Sequence, residues 1–88
     1  MARQTGKTTS QMENAPLGSW YVWLNPDLAY PRTLAKKIGR EDLKIISAAG
    51  LYRFRGSRDG VVVDHAASLT VEQDDIVYMA NVRADARA

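Results

Sequence analysis

The segment Gly60-Val61-Val62-Val63-Asp64 constrains the fold of this chain more than any other part of it. Three consecutive β-branched residues disfavour a helix and suit a strand. They do not alternate with polar residues, so both faces of that strand need cover. The run Trp20-Tyr21-Val22-Trp23-Leu24 repeats the pattern. Successive side chains of a strand point to opposite faces, which puts Trp20 with Val22 on one side and Tyr21 with Trp23 on the other. Core packing is expected on one of these faces, and a tryptophan left exposed on the other would be an interface anchor. Strands of this kind run parallel in sheets that helices cover.

The remaining segments supply those helices. Residues Lys7 to Asn14 have adequate helix propensity, with Met12 as the main apolar contact, and Pro16 and Gly18 end them. Asn25-Pro26-Asp27 is a turn. Pro31 suits the first turn of a second helix that carries Leu34, Ala35 and Ile38 on one face and stops at Gly39. Leu43-Lys44-Ile45-Ile46 reads as a short strand, and Ala48 to Phe54 is compatible with a single helical turn. Thr70 with Gln73 forms a capping box that opens a last helix, Val71 to Val82. The tail from Ala84 to Ala88 is expected to fray. The expectation is one α/β domain over residues 1–88: a small three-layer structure of about three mainly parallel strands covered by helices.

Composition narrows the function classes. A chain of 88 residues is one domain. Twelve basic residues against ten acidic ones give a net charge of +2, which does not by itself indicate nucleic acid. There is no cysteine and one histidine, which excludes thiolate metal sites, disulfides and histidine clusters. No apolar run approaches the roughly 18 residues of a membrane span. The first nineteen residues are polar in character, without a secretory signal, so the default expectation is a cytoplasmic protein.

Two motifs point to phosphate chemistry. Gly6, Lys7 and Thr8 match the last three positions of a phosphate-binding loop. In such a loop backbone N–H groups cradle phosphate, the lysine neutralises it, and the hydroxyl holds magnesium at a helix N-terminus. The glycine that opens this pattern would fall at Met1, and the sequence does not contain the strand that normally precedes the loop. Asp64, at the end of the valine strand, has the position from which a carboxylate holds magnesium.

Arg3-Gln4-Thr5-Gly6-Lys7-Thr8-Thr9, Tyr21-Val22-Trp23-Leu24-Asn25 and Arg55-Gly56-Ser57-Arg58-Asp59-Gly60-Val61-Val62-Val63-Asp64-His65-Ala66 together resemble the N-terminal ATPase half of phage terminase large subunits and related superfamily 2 helicases. The resemblance implies a reduced P-loop fold of phage origin, in the host cytoplasm, that binds ATP with magnesium. It assigns Gln4, Thr5, Gly6, Lys7, Thr8 and Thr9 to the nucleotide, and Thr8 and Asp64 to magnesium. It gives His65 the place of the glutamate that activates the attacking water. A neutral imidazole there implies binding without competent hydrolysis.

Two other readings stay open. Arg53, Arg55 and Arg58, interleaved with Tyr52 and Phe54, resemble a small nucleic-acid contact, which the modest net charge does not favour. An incomplete sheet has an open edge, and a homodimer or a larger protein partner would complete it. On that reading the chain is a non-catalytic interaction module, regulatory or host-directed.

Overall fold

The computed structural model describes the backbone of residues 2–54 and 59–87, and the side chains of residues 6–53 and 59–86. The elements follow the expected order: α1 (Ala2–Asn14), β1 (Trp20–Trp23), α2 (Ala29–Lys37), β2 (Lys44–Ser47), a 3-10 helix (Ala48–Phe54), β3 (Val61–Val63) and α3 (Val71–Arg87). The three strands form one parallel sheet in the order β2-β1-β3. Tyr21 stands in register with Ile45 on one side and Val62 on the other.

The two faces of β1 divide the core as alternation requires. Tyr21 and Trp23 pack with Met12 and Ala15 at the α1 end and with Ala35 of α2, beside Ile45. Val22 packs with Leu51, Val61, Ile76 and Ala80, under the 3-10 helix and α3. Helices therefore cover both faces, and the valine strand has the two-sided burial that its composition demands. Neither tryptophan is an exposed anchor: Trp20 is half-buried, and Trp23 is buried.

Local signals explain several boundaries. Asn25 Oδ1 accepts the N–H of Asp27, and Asp27 Oδ1 accepts that of Ala29. These side-chain turns start α2 two residues before Pro31, in the first turn where a missing N–H costs nothing. Its other end is a Schellman motif: Arg40 N–H donates to Ala35 O, Gly39 N–H donates to Lys36 O, and Gly39 has φ of 80°. The Thr70–Gln73 capping box forms in both directions, at 2.9 and 3.1 Å. Two expectations are corrected. The helix α3 continues to Arg87 instead of fraying at Ala84, in keeping with the helix propensity of alanine and arginine. The expected helix also carries Ile76, Met79, Ala80 and Arg83 at helical spacing; Ile76 and Ala80 join the core, but Met79 is 42% exposed.

Arg40 ties α1 to the rest of the fold. Its Nη1 donates to Met12 O at 2.6 Å and to Glu13 O at 3.2 Å, which satisfies carbonyls that the end of α1 leaves open. Nε and Nη2 grip Asp42 at 2.9 Å each, and Asp42 also accepts Gly18 N–H at 2.7 Å. The Arg40 guanidinium, and then the Gly18 N–H, hold the Asp42 carboxyl below the usual carboxylate range. Among the described residues no helix is long and apolar enough to cross a membrane.

Candidate functional site

The chain leaves β1 for β2 through α2 on one face, and it reaches β3 through the 3-10 helix on the other. The carboxyl ends of β1 and β3 therefore flank a point where the strand order reverses. Open α/β sheets have their binding crevice at such a point. Here it is a cleft of about 190 Å³, walled by Trp23, Leu24 and Tyr30 and floored by Thr8, Asp64 and His65. The Trp23 and Tyr30 rings lie 5.7 Å apart.

Asp64 is the centre of this arrangement. It is 1% exposed, and its N–H extends the β1–β3 ladder by donating to Val22 O at 3.0 Å. A buried carboxylate needs donors. Tyr21 Oη and Thr8 Oγ1 donate to Oδ1 at 2.5 and 3.1 Å, and Ala66 N–H donates to Oδ2 at 3.1 Å. Burial, donation to Asp64 and the nearby negative charge push the Tyr21 hydroxyl far above its ordinary range, so it remains a donor.

Thr8 arrives from α1, where Thr8, Met12 and Ala15 make the buried stripe at helical spacing. Gln11 lies on the same side and clamps the exit of β3. Its Nε2 donates to Val63 O at 3.0 Å, and its Oε1 accepts His65 N–H at 2.7 Å. The sequence reading did not single out Gln11 or the Tyr21 hydroxyl. Gln11 had a signal, since it stands three residues after Thr8 on the side that Met12 marks as inward. The hydroxyl had none, because β1 reads as purely apolar.

Of the residues expected to bind phosphate and magnesium, Thr8 and Asp64 meet, and His65 joins them. His65 is exposed, with Nε2 3.3 Å from Thr8 Oγ1. Because Thr8 gives its proton to Asp64, the histidine contact is a hydrogen bond only when Nε2 carries hydrogen. That nitrogen is then a donor and not a base. Gly6 and Lys7, the two residues before Thr8 in α1, are exposed, and Thr9 is half-buried.

The expected phosphate-binding loop before Lys7 is corrected: α1 begins at Ala2, so Gly6, Lys7 and Thr8 lie inside a helix. Their N–H groups are spent on carbonyls four residues back and do not form a cradle. Gln4 and Thr5 belong to α1, but their side chains lie outside the described residues. Arg53 is exposed and lines a separate depression beside β2; Arg55 and Arg58 lie outside the described residues.

Thr8 Oγ1 keeps lone pairs once its proton is committed to Asp64, so it and Asp64 are the oxygens that would hold a magnesium ion. With three donors already on its carboxylate, Asp64 fits such an ion better through water than by direct ligation. No family model, curated protein or solved structure matches the chain.

Proposed function

We propose that this chain binds the phosphates of a nucleoside triphosphate with magnesium at the carboxyl ends of β1 and β3, weakly and without competent hydrolysis. One observation carries the reading. Thr8 and Asp64, 56 residues apart and each expected from its motif to share a magnesium ion, are hydrogen-bonded at the crevice of the sheet. Magnesium there would neutralise phosphate charge, while Lys7 supplies the cation from the adjacent helix position. Gly6 adds support. A Cβ at Gly6 would meet nothing within 4 Å, so packing does not require glycine there. Glycine in a helix interior costs about 0.5–1 kcal/mol against alanine, a cost that makes sense if this segment unwinds into a phosphate loop.

Hydrolysis lacks its base. His65 faces Thr8 through Nε2, and it stands at the position directly after Asp64 where a carboxylate base would be needed. Weak binding follows from the need to unwind the first turns of α1, because preorganisation is what makes phosphate sites tight. The likeness of the motifs to terminase ATPases makes phage origin and a host-cytoplasmic setting part of this proposal. A second reading, a docking module for a larger protein, has its own support in the unequal edges of the sheet.

The test is thermal unfolding with and without Mg-ATP, in the parent and in Lys7→Ala. Nucleotide at ten times its Kd stabilises by about 1.4 kcal/mol, a rise of several degrees in Tm. The parent should show this rise and Lys7→Ala should lose most of it. An unmoved parent Tm at about 10 mM nucleotide contradicts the proposal.

A further inference from the structure

The two outer edges of the sheet are treated differently. On β3 both outward groups of Val61 and the outward carbonyl of Val63 are occupied. Val61 N–H donates to Asn81 Oδ1 at 2.8 Å, Asn81 Nδ2 donates to Val61 O at 3.1 Å, and Gln11 takes Val63 O. On β2 the outward groups of Ile45 are not. Lys44 N–H donates to Ser19 O of the β1 side, so Lys44 and Ile46 face β1 and Ile45 and Ser47 face outward. The Leu43 N–H is taken by Arg40 O, but no described residue takes the N–H or C=O of Ile45. An edge strand with free groups is a template for another strand unless the protein closes it, and here only one edge is closed.

The surroundings of that edge select what fits. Two adjoining depressions, about 280 and 310 Å³, share Ile45 and Arg32. The first also has Lys36 and Glu41, and the second has Ser47 and Arg53. Arg32, Lys36 and Arg53 are exposed, and among the described residues none has a hydrogen-bond or ion-pair partner. Three cations thus flank an unpaired strand against one acid. A second copy laid edge to edge would set these cations against themselves, which costs energy. An acidic strand would neutralise them.

We propose that the outer edge of β2 is a strand-addition site for an extended, acidic segment of a partner protein. Main-chain bonds to Ile45 and Ser47 give the pairing, and Arg32, Lys36 and Arg53 select carboxylates on alternate residues. The site is separate from the crevice at β1 and β3, so nucleotide binding and peptide binding fail or succeed independently.

The experiment is an NMR titration of the full chain with a short blocked peptide alternating valine with aspartate. The amide signals of Ile45 and Ser47 should shift, and exchange of the Ile45 amide hydrogen should slow. The same peptide with lysine for aspartate should bind at least about tenfold more weakly. N-methylation of alternate peptide amides, in the register that faces β2, should abolish binding. The doubly substituted Arg32→Glu, Arg53→Glu protein changes only exposed side chains and should prefer the lysine peptide. Equal affinity for the two peptides overturns the proposal, as does an unmoved Ile45 signal at millimolar aspartate peptide. Self-association through β2 that the peptide does not displace overturns it as well, in favour of a second copy.

Discussion

Replacing Tyr21 by phenylalanine removes one oxygen from the buried cluster of Tyr21, Thr8 and Asp64. Tyr21 is 0% exposed and Asp64 1% exposed, and the hydroxyl-to-carboxylate distance is 2.5 Å. The ring stays, so no cavity opens. The loss is one hydrogen bond to a charged acceptor, worth about 1.5–3 kcal/mol, and Asp64 is left with Thr8 and Ala66 as donors. Urea unfolding at pH 7, followed by the fluorescence of Trp20 and Trp23, should show a loss of about 2 kcal/mol with an unchanged slope. In Tm this is a fall of about 8–16 °C. Alkaline pH gives a second readout. The folded-state pKa of Tyr21 is raised, so the unfolded chain releases this proton first as pH passes about 10. The contribution is complete below that pH, and above it stability falls by up to about 1.4 kcal/mol per pH unit from this group. Tyr21→Phe lacks the component, so its stability should fall less steeply than the parent's between about pH 10 and 12. A loss under about 0.5 kcal/mol at pH 7, with parallel alkaline limbs, refutes the role given to the Tyr21–Asp64 bond.

Three further outcomes follow from the same contacts. Asn81→Ala strips the cover from Val61 N–H and C=O; it should cost about 1–3 kcal/mol in urea unfolding and produce concentration-dependent association in sedimentation, because β3 becomes a second open edge. Gly6→Ala should stabilise α1 by about 0.5–1 kcal/mol and weaken nucleotide binding, a pairing that a purely helical role for Gly6 does not produce. The lowered Asp42 carboxyl contributes stability that is present above about pH 4 and is lost as pH falls through its folded-state value; acid unfolding of Asp42→Asn should therefore be shallower than the parent's, and amide exchange at the end of α1 faster.

Much of the architecture could be read because it follows from local periodicity. The opposite faces of Trp20-Tyr21-Val22-Trp23 and the capping box at Thr70 and Gln73 are short-range patterns, and both stand as expected. The order of elements followed from the same patterns. The start of α1 did not, because Gly6 in a polar stretch reads as loop, while the Ala-Arg-Gln residues before it propagate a helix. The closure of β3 was hidden for a different reason. Asn81 and Gln11 reach it across 20 and 52 residues, and no periodicity records such a pairing. The meeting of Thr8 with Asp64 was anticipated from motif chemistry; its third member, the Tyr21 hydroxyl, was concealed within an apolar strand.

Phosphate binding at the junction of β1 and β3 is tested most directly by mapping amide signals during a titration with Mg-ATP. The signals of Thr8, His65 and Ala66 should move saturably with Mg-ATP and stay still with adenosine, and Lys7→Ala should abolish the movement. Signals at this junction that remain fixed at millimolar Mg-ATP, or that move alike with adenosine, would contradict a phosphate site there.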